Sequence, residues 1–450
     1  MLRLVAFEAV FSRSYDASLP RTNTVIFPRF CRGVGLGRCT SVRVLGLRSL
    51  GLGCESASLL ANRHSSQIAS SMTSTKLLSR REFGGTVAAC GGATFLCSWY
   101  APRSDDRPSE VPQGAIRGGV SLAGAEFGVD NPRFSNANPG AYGEDYKYPG
   151  RRTIEYFATC GLGLLRIPFR WERLQPNLGQ PLNSNELNRI QQVVAWAGEC
   201  GAQIVLDTHN YGRYQLSLGG RPRSVVIDEK IDGEVAVSHD DFADYWRRIA
   251  EEFNGNRTVL GLGLMNEPHD MGQSDWKAIS QTAVDAIRTV NREAYVIVSG
   301  NGWSSAQRFP EINGSSPWIS DPAQRVVYEA HCYFDADASG KYSHSFAEEL
   351  LKDPQLPQRG AKRIAVFLDW CRRNRVAGFL GEFGIPGASE GWRKVLSNAL
   401  ASIQNTDTLA CYWAGGEWWN DYPLSVQPRD DMRQAAPQLD VLRRWLAPRA

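Results

Sequence analysis

From Gly114 onward the chain alternates short apolar runs with longer amphipathic stretches, and it does so eight times. Few folds accommodate that rhythm. A strand must bury its apolar side chains on neighbours, and a helix returning the chain places the next strand parallel to the last, so repeated pairs build a parallel sheet. The runs read as strands are Gly118–Leu122, Leu164–Pro168, Gln203–Asp207, Leu260–Met265, Tyr295–Ser299, Arg325–Ala330, Ala377–Gly381 and Leu409–Trp413. Helical spacing falls near 151–160, 184–200, 240–254, 274–292, 360–374, 391–404 and 434–446, with the fifth connection mostly loop. Eight repeats in roughly 340 residues are the sequence form of a (β/α)8 TIM barrel, a single catalytic domain over residues 114–450. The competing architecture, an open doubly wound sheet, would carry a glycine-rich phosphate turn after its first strand. Ser121-Leu-Ala-Gly-Ala-Glu-Phe-Gly128 is not one.

The first hundred residues differ in kind. Residues 1–71 hold nine arginines, no lysine and three acids, with neither helical nor strand periodicity. They read as an unstructured leader, either a transit peptide by composition or sequence upstream of the true start, and the second reading is preferred because a better start follows. Met72 opens a short basic segment, Ser79-Arg80-Arg81-Glu82-Phe83 sets a twin arginine, and Gly84 to Tyr100 carries no charge. Residues 72–100 thus resemble a twin-arginine export signal, and Val87-Ala-Ala-Cys90 resembles a lipoprotein cleavage box. Proline-containing residues 101–113 read as a linker, and the mature protein is expected outside the cytoplasm.

Charge follows the same division. Up to residue 110 there are 14 Lys plus Arg against 7 Asp plus Glu; with +3 for the whole chain, the remainder carries −4. The basic surplus therefore belongs to the leader and argues against a nucleic-acid partner. No segment reaches the roughly 20 apolar residues of a membrane span. Cys160, Cys200, Cys332, Cys371 and Cys411 are widely spaced, odd in number and without CxxC pairs, so neither a zinc site nor a disulfide framework is signalled.

In a barrel of this kind the chemistry collects at the carboxyl ends of the strands. Those ends supply Arg166; Asp207, His209, Asn210 and Tyr211; Asn266 and Glu267; Trp303; His331 and Tyr333; Glu382; and Trp413, followed by Trp418 and Trp419. Alone, a buried arginine or histidine is more often structural, but packing gives no reason for polar residues to gather on one rim. Glu267 and Glu382 stand on strands four and seven, facing across the ring. Paired carboxylates are what glycoside hydrolysis needs, one to protonate the leaving oxygen and one to attack the anomeric carbon or activate water. The two roles need separated proton affinities, so the acid is expected to be the more desolvated glutamate and the nucleophile the one held ionised by donors such as Arg166 and Tyr333. Asn266 can hold a sugar 2-hydroxyl, and Trp413, extended by Trp303, Trp418 and Trp419, offers an apolar face to sugar rings.

The set Arg166, His209, Asn266-Glu267, His331, Tyr333, Glu382 and Trp413 resembles the active-site signature of glycoside hydrolase family five, the cellulase family. Longer stretches resemble its secreted endo-β-1,4-glucanases: Gly119–Gly128, Asp207-Thr-His-Asn-Tyr211, His331–Gly340 and Trp413–Tyr422. The likeness spans about residues 115–430. It implies retention of configuration with Glu267 as acid/base and Glu382 as nucleophile, no cofactor, no metal, a β-glucan polysaccharide or oligosaccharide as partner, and a monomer. A metal site on Asp207, His209, Glu267 and His331 is the weighed alternative; it would leave Glu382 without a role and lacks the His-x-His of metal-dependent barrels. Rival readings are a β-mannanase or a mixed-linkage or xyloglucan hydrolase on the same fold, and a catalytically silent carbohydrate-binding protein.

Overall fold

A computed structural model of the protein describes residue 111 and residues 114–448, so the leader, the signal segment and most of the linker lie outside the described residues. Eight strands close into a parallel barrel: β1 (Gly118–Leu122), β2 (Leu164–Phe169), β3 (Gln203–Thr208), β4 (Val259–Gly263), β5 (Tyr295–Ser299), β6 (Val326–His331), β7 (Ala377–Glu382) and β8 (Thr408–Gly415). Each is hydrogen-bonded to its chain neighbours, and β8 closes onto β1. Each expected strand is present, with ends within a few residues of those expected from apolar patterning. The helices between them include Arg151–Thr159, Ser184–Glu199, His239–Glu252, Trp276–Val290, Leu356–Asn374, Glu390–Ser402 and Leu439–Leu446.

Period-two alternation sorts each strand between two cores. Outward residues such as Leu165, Ile167, Leu206, Val298, Leu380 and Tyr412 pack under the helices. Inward residues Leu164, Val205, Ile297, Val327, Phe379 and Leu409 fill the barrel from within. One alternation further along, the inward layer turns polar: Ser121, Arg166, Asp207, Ser299 and Glu329, all at most 1% exposed. Gly381 belongs to the same layer, and a Cβ there would lie 1.8 Å from Glu329 Oε1, so glycine makes room for that carboxylate. One step higher stand His209, His331 and Trp413, at the rim.

Several elements carry no clear periodicity in the sequence. Two hairpins, Arg213–Leu218 with Arg221–Val226 and Lys230–Ile231 with Glu234–Val235, follow β3. Short helices Trp171–Leu174 and Phe346–Lys352 follow β2 and β6. Trp171, Trp246 and Trp370 are fully buried, and Trp196 and Trp445 pack partly buried against the outer core. The five cysteines beyond residue 114 are free thiols. No helix among the described residues is long and apolar enough to cross a membrane.

Candidate active site

Arg166 anchors the rim from below. Its guanidinium is wholly buried, which would be costly for an isolated charge, and acceptors surround it. Nη1 donates to Glu382 Oε1 at 2.9 Å and Nη2 to Asn266 Oδ1 at 2.7 Å. Ion pairs to Asp207 at 3.2 Å and Glu329 at 3.3 Å complete the set. One cation therefore orients residues from β3, β6 and β7 together with the β4 end.

Glu382 receives a second donor, the Tyr333 hydroxyl at 3.1 Å. His331 lies between the glutamates, with Nδ1 2.7 Å from Glu267 Oε1 and 3.7 Å from Glu382 Oε2, while its Nε2 meets Glu329 at 3.1 Å. Both ring nitrogens thus face carboxylates, an arrangement suited to imidazolium. Burial works against that charge, but Glu382, Glu267 and Glu329 outweigh it and push His331 up to about 10. His209 behaves oppositely: burial, reinforced by Arg166 and Arg170 against the pull of Glu382, pushes it down to about 3. The neutral ring is held with Nδ1 2.8 Å from Asp207 and Nε2 3.3 Å from the Asn266 amide. Asn266 is thereby locked at both ends of its amide, and Glu267 follows it with φ at 44°, a left-handed backbone costing about 1–3 kcal/mol for a non-glycine residue.

The desolvation order of the two glutamates is the reverse of that expected. The Glu382 side chain is 6% exposed and that of Glu267 15%. Burial, with Glu267 nearby, raises the Glu382 carboxyl despite His331 and Arg166. The reason is depth: Glu382 lies against the polar layer, whereas the left-handed turn lifts Glu267 to the rim. Ligand-type atoms of Glu267, His331 and Glu382 lie within 4.8 Å of one another.

Aromatic rings form a continuous run past the carboxylates. Tyr422 stacks on Trp419, which meets Trp413 edge-on; Trp413 stacks on His209 at 5.4 Å and 14°. Tyr211 continues from His209 to Trp303, and His269 lies flat on Trp303. Two expected positions take different roles. Asn210 spends its amide on Trp171 N, Glu172 and Arg213 O, so it supports the loop and does not face a sugar. Trp418 is half-buried beside the run, and among the described residues no ring contact joins it to Trp413. Glu329, His269 and Tyr422 were not singled out from the sequence as site residues, and Tyr211 was noted there only as part of a strand end. Glu329 was findable, because it precedes His331 by two and so shares its face, as Asp207 does with His209.

Glu126, after β1, is a buried carboxyl off this network. Oε2 accepts from Gly124 N at 2.8 Å, while Oε1 is buried without a hydrogen-bond partner. Burial pushes it up to about 8 from 4.5. Between those values the folded chain binds more protons than the unfolded one, so this group's contribution to stability falls as pH rises through the window. Glu126→Gln keeps the protonated shape. Thermal or urea unfolding should find the variant close to wild type at about pH 5 and more stable at about pH 8, by up to a few kcal/mol at roughly 1.4 kcal/mol per pKa unit. Parallel stability curves for the two proteins would contradict this.

A closed barrel with opposed carboxylates at the ends of β4 and β7 and stacked rings alongside defines a glycoside hydrolase. Comparison with known proteins agrees. The family model for cellulase, glycosyl hydrolase family 5, matches residues 120–421. Endo-beta-1,4-glucanase B of Emericella nidulans is 31% identical over 316 residues, 69% of this chain and 86% of that protein. Endoglucanase Cel5A of Pseudomonas stutzeri, solved in complex with cellobiose, is 34% identical with a TM-score of 0.64, covering 76% of this chain and 95% of that one. XacCel5A, solved in complex with cellopentaose, is 31% identical with a TM-score of 0.61, covering 74% and 100%. The chain belongs to the cellulase family, glycosyl hydrolase family 5.

Proposed function

We propose that this protein is an endo-β-1,4-glucanase that cuts internal glucosidic bonds by double displacement with retention. The observation that carries the mechanism is the proximity of the two carboxylates, whose facing oxygens lie within 4.8 Å. Retaining enzymes hold their carboxyl groups roughly 5–5.5 Å apart and inverting ones roughly 6.5–9.5 Å, to admit a water between them, and so close an approach of single oxygens supports the first. Glu382 attacks the anomeric carbon while Glu267 gives its proton to the departing glycosidic oxygen, leaving a glucosyl ester on Glu382. Glu267, now a carboxylate, takes a proton from water as that water attacks the same carbon, and Glu382 leaves ionised. Arg166 and Tyr333 hold the attacking oxygens in place, and Asn266, fixed by Arg166 and His209, is set to bond the 2-hydroxyl.

The names of the relatives support β-1,4-glucan over mannan, since fold and carboxylates would serve either sugar. Reducing-sugar release from carboxymethyl cellulose, mixed-linkage β-glucan and β-mannan decides: activity on the first two with a rapid fall in viscosity is expected. Activity confined to mannan would transfer the reading to the mannanase rival, and inertness on all three would sink it. The same proposal includes residues 1–71 as leader, an export signal at 72–100, a linker at 101–113, one catalytic domain at 114–450, and a monomer working outside the cytoplasm. Its support is the twin arginine at Arg80-Arg81 followed by an uncharged stretch.

A further inference from the structure

The stretch after β6, Tyr333 to Tyr342, contains the acidic run Asp335-Ala-Asp-Ala-Ser339, which the chemistry above leaves unused. Its carboxylate points inward on its own loop. Asp335 accepts from Gly340 N, Tyr342 N and Ser339 Oγ, each at 3.1 Å, which folds the segment into a closed turn. That turn brings Gly340 against the Tyr333 ring, where a Cβ would lie 2.8–3.0 Å from three ring atoms. From the other side, the helix Leu356–Asn374 sends two arginines one turn apart. Arg363 donates to Tyr333 O and Asp335 O, both at 2.7 Å, and to Ala336 O at 2.9 Å. Arg359 donates to Phe334 O at 3.1 Å. The Tyr342 hydroxyl ties the loop to the end of β7 by accepting from Phe334 N and donating to Gly384 O.

We infer that Arg363 is a positioning residue for the nucleophile, acting through Tyr333: it clamps the carbonyls of Tyr333, Asp335 and Ala336 so that the tyrosine hydroxyl stays on Glu382. The planar fork reaches these carbonyls from two nitrogens, Nη1 and Nη2, a spread that the single nitrogen of an ammonium does not match. The inference rests on the reading of Glu382 as nucleophile and Tyr333 as its donor. A donor displaced by a fraction of an ångström weakens its bond to the attacking oxygen in the transition state without altering how sugars bind elsewhere.

The test is a double-mutant cycle on the first chemical step, measured with an activated aryl β-cellobioside and normalised to active sites counted with a fluorosugar inactivator. Arg363→Met should lower kcat about tenfold, within the roughly hundredfold that an ångström of misplacement can cost, with KM nearly unchanged. Tyr333→Phe should fall by at least as much, and the double variant should be no slower than Tyr333→Phe alone. Arg363→Lys should recover little, and Gly340→Ala, pressing on the ring from the opposite face, should repeat the kcat loss and keep the test open if Arg363→Met folds poorly. Lys362→Ala, on the same helix and with its amine bonded to Gln355, is the control expected to match wild type. Losses that multiply in the double variant, or Arg363→Met as fast as wild type while Tyr333→Phe is slow, would overturn the inference. Tyr333→Phe as fast as wild type would overturn the underlying reading of Tyr333 instead.

Discussion

Glu382→Ala should lower kcat on soluble β-1,4-glucan by at least four orders of magnitude, since removing a nucleophile alone can cost roughly a millionfold. Arg166 and Tyr333 hold the oxygens of Glu382 at 2.9 and 3.1 Å, so neither a water nor a neighbouring side chain inherits its geometry. The loss should be chemical, not structural. Glu382→Gln, which keeps the shape, should be comparably inactive while unfolding close to wild type, whereas the alanine variant also leaves Arg166 short of a buried partner. Azide can enter the space vacated by the carboxylate and attack an activated aryl β-cellobioside from that face. The product should be the α-glycosyl azide, with the phenolate departing. A variant within tenfold of wild type, or a β-glycosyl azide, would overturn the assignment.

Glu267→Gln should separate leaving groups. On glucan, whose departing hydroxyl needs a proton, kcat should fall by about 10²–10⁴, the usual contribution of a positioned acid. On a dinitrophenyl β-cellobioside, whose phenolate leaves unaided, the first step should run near the wild-type rate. Attack of water then lacks its base, so a burst of phenolate should precede a slow steady state as the ester on Glu382 accumulates. Azide, which needs no base, should relieve the slow phase and give the β-glycosyl azide. Equal losses on both substrates would mean that Glu267 does not act as the acid, and the opposite azide configuration would exchange the two glutamates.

The barrel was legible because burial on both faces of a parallel strand leaves an apolar run that local sequence cannot disguise. Strand-end residues such as Arg166, Asn266, Glu267 and Glu382 were legible for the same reason, standing out as polar interruptions where apolar runs stop. The hairpins at Arg213–Val235 and the short helices at Trp171–Leu174 and Phe346–Lys352 were not, since their stability comes from packing on the rim and little from their own periodicity. Asn210 shows the limit for single residues. Its position in Asp207-Thr-His-Asn-Tyr marks it as rim, yet both ends of its amide are spent on the scaffold.

The sequence by itself determined the strand count, the order of the strands and which polar side chains arrive at the carboxyl rim. These follow from periodicities of two and about three and a half residues, which are local. Tertiary structure alone decided that one arginine serves Glu382, Asn266, Asp207 and Glu329 together, that His331 is driven towards imidazolium while His209 is driven neutral, and that Glu382 rather than Glu267 is the deeper carboxylate. Charge and burial depend on distances between residues as far apart as Arg166 and Glu382, and no local pattern carries them. The same holds for Arg363, an ordinary helix arginine until the fold places it beneath the carbonyls that carry Tyr333.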